Sequence, residues 1–369
     1  MSKQLKIAMI GHKYIPSNIG GVEVVVEELS TRLVKKGYDV TCYNRSHEHC
    51  GNNKKSIYKG VKLVDVKTVH KRGLKTVHKK GLEAFSSSFF ATMQALKSDA
   101  DIVHYHAEGP AYWCWIIKCF SKKKVIVTIH GLDWKRAKWN KFASGIIKKG
   151  EKRAVKYADE IIVLSKSAQD YFMKKYGRKT NYIPNGVEIH KAQKPNIIKR
   201  KYGLKGDDYI LYLARIVPEK CAHLLIEAYK GLKTDKKLVI AGSQDSKEYT
   251  ERIKALAADN PNIILTGFVD GNEKAELYSN TSVYVLPSDV EGMPLTLLEA
   301  MSYNVPVIVS DIPENTEVVG KKAVTFKAGS VKSLKNKLVT VNRPVSSDVL
   351  LKYSWDENVA KTISLYELE

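Results

Sequence analysis

Short β-rich runs alternate with helical patterns along all 369 residues, and this alternation restricts the possible folds more than any other feature. In the first half the strand candidates are Lys6–Ile10, Asp39–Tyr43, Val61–Val66, Ile102–His106, Lys124–His130, Glu160–Leu164 and Thr180–Pro184. Helical patterns such as Glu23–Lys36 and Glu151–Tyr157 fall between several of them. The second half repeats the theme with Tyr209–Ala214, Lys237–Ala241, Ile263–Thr266, Val283–Leu286, Val305–Ser310 and Ala323–Phe326. Strands separated by helices argue for a parallel, doubly wound sheet. The length suits two domains, and 44% hydrophobic residues can fill two cores. Val187–Lys205, with Lys, Asn and Pro and little periodicity, reads as the linker. The expected α/β fold is two Rossmann-like domains facing a cleft.

Charge separates the halves. Residues 1–185 hold 36 Lys/Arg against 15 Asp/Glu, whereas residues 186–369 hold 25 against 24. Almost all of the net charge of +22 therefore lies in the first half, which suggests an anionic surface as its partner. Anionic lipid, nucleic acid and polyanionic substrate all fit that balance. A tandem octapeptide, KTVHKRGL then KTVHKKGL over Lys67–Leu82, brings six Lys/Arg and two His into sixteen residues. It reads as a solvated loop or helix start, or as a basic arm for anionic headgroups.

The five cysteines, Cys42, Cys50, Cys114, Cys119 and Cys221, form no CxxC pair, so a reduced, cytosolic compartment is expected. The apolar run at the N-terminus is too short for a signal peptide and reads as a first strand. Ala111–Phe120 falls far below the roughly 20 residues that span a bilayer and reads as a buried helix. Membrane contact is therefore expected to be peripheral.

The chemistry concentrates at a few points. Glu291 and Glu299 sit eight positions apart in VLPSDVEGMPLTLLEAMSYNVPVIVSD. Val283–Leu286 reads as a strand and Leu295–Met301 as a helix with Pro294 in its first turn. One acid then lies in the strand-to-helix turn and the other about two turns into the helix. N–H groups in such a turn favour an anion, so the segment suits a ligand carrying phosphate and hydroxyl groups. Arg215 ends an apolar strand and Lys220 lies near the next helix start, placed to clamp a diphosphate. Gly20-Gly21-Val22-Glu23 opens a helix after a loop, where glycines allow close backbone approach. His130 ends a strand before Gly131, and Asp133, Trp134, Lys135 and Arg136 offer charges and a stacking face. Asp99-Ala100-Asp101 has the DxD form of some metal-dependent transferases but precedes a strand, so it reads as a surface turn.

These residues resemble a known family. Glu291 to Glu299 is similar to the E-x7-E motif of retaining GT-B glycosyltransferases of family 4. Gly20-Gly21-Val22-Glu23, His130-Gly131, Pro184-Asn185-Gly186-Val187 and Arg215…Lys220 match further motifs in the family's order, across essentially the whole chain. The opening GHKYIPSNIGGVE and HGLDWKRAKW resemble a bacterial subgroup that builds capsule, exopolysaccharide or other cell-surface glycans. The resemblance implies an acceptor-binding domain over 1–186, joined by a returning helix over 355–369, and a nucleotide-sugar-binding domain over 187–354. It implies that Arg215 and Lys220 hold the donor diphosphate and that Glu299 accepts from the ribose hydroxyls. Glu291 would bind the transferred sugar, supported by backbone around Gly292, Met293, Pro294 and Leu295. Gly20 and Gly21 would pass close to the diphosphate and acceptor, and His130 would touch the donor sugar. Cys221 departs from the glycine that often follows this lysine.

The implied activity is hexosyl transfer from a nucleotide-sugar, with a UDP-sugar favoured, to a glycan or polyprenyl-diphosphate-linked acceptor. No metal or other cofactor is required on this reading. The basic first domain would meet the anionic inner face of the plasma membrane, through Lys67–Leu82 and Lys135–Arg153. The rivals are a sugar-nucleotide epimerase or sucrose synthase-like enzyme on soluble substrates, and a nucleic-acid-binding protein. The last has only charge in its favour, and no nucleic-acid partner is expected.

Overall fold

A computed structural model describes residues 4–17, 20–45, 56–69, 76–136, 141–320, 323–340 and 347–367. The chain forms two compact units, Met1–Asn185 with Trp355–Glu369, and Gly186–Ser354.

The first unit holds β1 (Lys6–Ile10), β2 (Asp39–Arg45), β3 (Ile57–Tyr58), β4 (Val61–Val66), β5 (Ile102–His106), β6 (Lys124–Ile129), β7 (Glu160–Val163) and β8 (Asn181–Tyr182). They form one sheet in the order β3-β4-β2-β1-β5-β6-β7-β8. All neighbours are parallel except β3 and β4. Alternation along β1 divides its side chains between two cores: Ala8 and Ile10 face one, Ile7 and Met9 the other. The helix Gly21–Lys35 supplies Val26, Leu29 and Leu33 to the second core. The terminal helix Trp355–Glu367 adds Val359, Leu365 and Tyr366 to that same core. Asn358 Nδ2 on this helix also donates to the Pro184 carbonyl at 2.8 Å.

The second unit holds β9 (Tyr209–Leu213), β10 (Lys237–Ala241), β11 (Ile263–Gly267), β12 (Val283–Leu286), β13 (Val307–Ser310) and β14 (Val324–Phe326). Their order is β11-β10-β9-β12-β13-β14, and every neighbouring pair is parallel. β9 and β12 are buried at every position, as expected of strands covered on both faces. Strand order reverses beside β1 in one sheet and beside β9 in the other. Loops at the carboxyl ends of strands diverge at such points and leave a crevice.

Several expectations change in detail. Ala111–Phe120 is not one buried helix: Glu108–Ala111 and Cys114–Phe120 are separate helices, and Phe120 is 68% exposed. The linker region contains a short helix, Ile197–Tyr202, anchored where Ile198 N donates to Glu276 Oε2 at 3.1 Å. Thr180–Pro184 contributes only the two-residue β8. The helix expected over Glu151–Tyr157 begins at Lys141. Within the tandem octapeptide, 70–75 lie outside the described residues, and the second copy enters the helix Thr76–Lys97.

Candidate active site

In the second unit the site begins where β9 leaves the sheet. A Cβ on Gly242 would lie 1.8 Å from the Ala214 carbonyl oxygen, and Gly242 holds a φ of +150°, so only glycine fits where the two chains cross. Ile216 N donates to Ser243 O at 2.8 Å just beyond the crossing. Arg215 is fixed at this point: Tyr212 OH donates to its carbonyl at 3.0 Å, and its Nη1 lies 3.4 Å from Asp245 Oδ2.

Pro218–Lys220 then forms a tight 3-10 turn rather than the first turn of an α-helix. Cys221 follows with φ 53° and ψ 36°, in the left-handed region. That region favours glycine, the residue expected here from the resemblance. Here Cys221 adopts the conformation and its thiol donates to Asp289 Oδ2 at 3.1 Å. Burial, with the Asp289 carboxylate beside it, pushes that thiol well above its ordinary pKa, so it stays protonated.

Lys220 Nζ is hydrogen-bonded to Glu291 Oε1, and the two side chains are only 13% and 6% exposed. Glu291 lies between β12 and the helix Leu295–Ser302, as the sequence suggests. Pro294 differs slightly from expectation. It is the N-cap, with extended backbone, and its carbonyl accepts from Leu297 N at 3.1 Å. Glu299 lies about one turn into this helix, not two as expected, because the helix starts only at Leu295; Lys274 Nζ donates to its Oε1 at 3.0 Å and Tyr278 OH lies 3.2 Å from its Oε2. Tyr284 OH lies 2.9 Å from Thr296 Oγ1 and 3.2 Å from the Leu213 carbonyl, which links the helix start to the end of β9. The fold therefore brings Lys220 against Glu291 and holds Arg215 and Glu299 by separate partners. Sequence reasoning missed those partners, Asp245, Lys274 and Tyr278, because nothing in their local pattern marks them.

The first unit holds His130 at the end of β6, 8% exposed. Its Nε2 lies 3.0 Å from His106 Nδ1, and the His106 ring stacks on His104 with centroids 4.3 Å apart. His104 is bound at both nitrogens, to Tyr366 OH and Thr128 Oγ1, each at 2.7 Å. His104 and His106 share one face of β5 because they are two residues apart, a spacing in HYH that would have revealed the pair. Burial pulls His130 down to about 4 and His104 to about 3, and it lowers His106 well below the usual value, with neighbouring imidazoles adding to the effect. The row is uncharged at neutral pH.

The loop after His130 differs from expectation. Trp134 Nε1 donates to Glu151 Oε2 at 3.0 Å, Lys148 Nζ lies 4.4 Å from the Trp134 ring centroid, and Asp133 pairs with Arg136 at 2.9 Å. Asp133 N also donates to Glu108 Oε2 at 2.8 Å. These groups serve to anchor the loop. Burial and the nearby Asp133 and Glu151 carboxylates hold Glu108 well above the usual carboxylate range. Although burial opposes it, Glu151 is held below that range by hydrogen bonds from Tyr176, Lys175, Tyr171 and Glu108. The shared proton therefore resides on Glu108. Neither glutamate carries a local motif, which is why both were overlooked.

Gly20 is the N-cap of the helix Gly21–Lys35, in extended backbone. The Glu23 carboxylate turns back over it and accepts from Lys13 N at 3.0 Å. Asp101 Oδ2 accepts from Lys6 N at 2.9 Å and Asp99 pairs with Lys6, so the DxD string caps the amino edge of the sheet.

The Glycosyltransferase Family 4 model matches residues 19–191, and the Glycosyl transferases group 1 model matches residues 194–341. An uncharacterised glycosyltransferase of Methanocaldococcus jannaschii is 24% identical, over 99% of this chain and 98% of its own. The capsular polysaccharide biosynthesis glycosyltransferase CapM of Staphylococcus aureus is 27% identical, over 58% of this chain and 59% of its own. Among solved structures, sucrose-phosphate synthase of Thermosynechococcus elongatus superposes with a TM-score of 0.83 at 18% identity, covering 99% of this chain and 98% of that one. Anabaena HepE, in complex with UDP-glucose, gives a TM-score of 0.78 at 14% identity, covering 99% and 100%. The chain belongs to the GT-B glycosyltransferases, its first unit a family 4 domain and its second a group 1 domain.

Proposed function

We propose that this glycosyltransferase moves a hexosyl unit from a UDP-sugar to a lipid-linked or other membrane-associated glycan acceptor in cell-surface polysaccharide synthesis, with the anomeric configuration retained. One observation carries the reading: Arg215, the Lys220–Glu291 pair and Glu299 are all held around the carboxyl ends of β9 and β12, where strand order reverses. Arg215 and Lys220 hold the donor diphosphate. Glu299 accepts from the ribose hydroxyls and Glu291 from hydroxyls of the sugar, with backbone at Gly292, Met293 and Leu295 in support. The UDP-glucose of the HepE structure and the capsule role of CapM favour this donor and product class.

The chemistry follows from charge. As the bond from anomeric carbon to phosphate breaks, its electron pair goes to the diphosphate and positive charge develops on the sugar. Fixed cations stabilise the leaving group without reorganising, and losing one such contact costs about 3 kcal/mol, roughly a hundredfold in rate. The acceptor oxygen bonds the anomeric carbon from the same face and its proton passes to the leaving phosphate. On this reading Arg215 and Lys220 supply the charge that a metal supplies elsewhere. His130 is neutral, so it brings no cation to a developing positive charge.

The basic first unit suits an anionic bilayer. On the helix Lys141–Tyr157, Lys141, Lys148, Lys149 and Lys152 are exposed beside Phe142, itself 78% exposed. Each such cation near an anionic surface contributes about 1 kcal/mol. Among the described residues no helix is long and apolar enough to cross a membrane. A screen of UDP-, GDP- and ADP-sugars for thermal stabilisation and slow hydrolysis tests the donor assignment. Stabilisation by none of them, or undiminished stabilisation of Glu299→Ala, overturns it. Equal binding to neutral and anionic vesicles at all salt levels overturns the membrane reading.

A further inference from the structure

Two side chains from another helix hold Glu299. Lys274 and Tyr278 lie four residues apart on the helix Gly271–Ser279, so they leave it from one face. Both reach Glu299 on the helix Leu295–Ser302, Lys274 Nζ at Oε1 and Tyr278 OH at Oε2. Each carboxylate oxygen therefore has a protein donor.

Tyr278 is fixed by its own packing. Its ring stacks on Tyr303 with centroids 5.6 Å apart and lies 5.8 Å from that of Tyr284. Its hydroxyl lies 3.2 Å from the Thr296 carbonyl as well, so one proton serves that oxygen and Glu299. Burial, with the Glu299 carboxylate beside it, raises this hydroxyl well above its ordinary pKa, so it stays a donor. Lys274 has no such cage. The Lys274 and Glu299 side chains are 32% and 25% exposed, so a ligand can reach them, whereas Glu291 is only 6% exposed.

A carboxylate offers about four lone-pair sites on its two oxygens. Lys274 and Tyr278 take one on each, which leaves one on each. A vicinal diol brings two adjacent O–H donors, one for each remaining site. A ligand that covers the carboxylate also strips its water, and a charge without water needs a partner. Lys274 supplies that partner. We propose that Lys274 is the positioning residue for the donor ribose: it holds Glu299 so that both hydroxyls are accepted, and it thereby selects a ribonucleotide over a deoxyribonucleotide. This rests on the reading of Glu299 as the ribose acceptor, and adds what orients it and what it excludes.

The test measures by calorimetry the affinity of the full chain for UDP and 2′,3′-dideoxy-UDP, with ADP, GDP and their dideoxy forms as second and third pairs. Wild type should bind at least one ribonucleotide about tenfold more tightly than its dideoxy form. Lys274→Met should weaken that ribonucleotide about tenfold and leave the dideoxy form within about twofold, so that the preference collapses. Lys274→Arg, which keeps the charge, should keep most of it. A residue that only supported the fold would weaken both forms alike. Should Lys274→Met not fold, Lys274→Gln, which keeps a polar chain and drops the charge, is held to the same outcome. An unchanged preference in the uncharged variant, or equal weakening of both forms, overturns the proposal and leaves Glu299 standing. Wild type that binds ribose and dideoxy forms equally overturns the ribose role of Glu299, and the proposal with it.

Discussion

Lowering the pH from 7 to 5 probes the buried histidines of the first unit directly. Burial holds His12 and His130 at about 4 and His104 at about 3. In the unfolded chain each returns to about 6.5. Below that value the unfolded chain binds protons that the native rings refuse. The stability these neutral rings allow is therefore complete above about pH 6.5 and is lost as pH falls toward the folded values. At pH 5 the gap from 6.5 is about 1.5 units, or about 2 kcal/mol per histidine at roughly 1.4 kcal/mol per unit. Three rings give about 6 kcal/mol, comparable to the whole stability of a domain, and His106 adds in the same direction. The assay is favourable because all five tryptophans, Trp113, Trp115, Trp134, Trp139 and Trp355, belong to the first unit. Urea unfolding followed by tryptophan fluorescence should show a midpoint far lower at pH 5 than at pH 7. Long-range proton–nitrogen NMR should show four imidazoles still neutral at pH 5. Equal midpoints at the two pH values, or four rings titrating near 6.5, would falsify the burial argument.

Three further outcomes are expected. Glu299→Ala should weaken UDP binding by roughly ten- to a hundredfold, since a hydrogen bond to a charged group is worth about 1.5–3 kcal/mol, and calorimetry showing less than a twofold change would refute its role. Gly242→Ala should cost about 3 kcal/mol and reduce turnover together, because its methyl would strike the Ala214 carbonyl at 1.8 Å and displace Arg215; an unchanged melting temperature contradicts this. Cys221→Val should destabilise more than Cys221→Gly, since β-branching is poorly tolerated in the left-handed region, and thermal melts giving the opposite order sink that account.

Much of the fold was legible because most of its strands are short β-rich runs, several of them, such as β5 and β12, buried on both faces. β1, β4, β5, β10 and β12 have the bounds that composition suggests. Misreadings share a cause. The helix from Lys141 has an amino half rich in Lys and Gly, which hides its period until Glu151. The break at Tyr112–Trp113 was invisible because both residues are aromatic and suit a buried helix. At the candidate site, Glu291, Glu299, Arg215 and Lys220 stood out because each follows an apolar strand, in the connection to the next helix or on that helix. Glu151 had no such mark: its partners Glu108, Trp134, Tyr171, Lys175 and Tyr176 are scattered in sequence and meet only through the fold.

The helix Trp355–Glu367 ties events at opposite ends of synthesis together. During translation the sheet of the first unit emerges early, yet Val26, Leu29 and Leu33 wait for Val359 and Leu365, and His104 waits for Tyr366. Gly186–Ser354, by contrast, is one uninterrupted stretch. The half made later can therefore mature before the half made sooner, and the nascent first unit waits with one side of its core still wet.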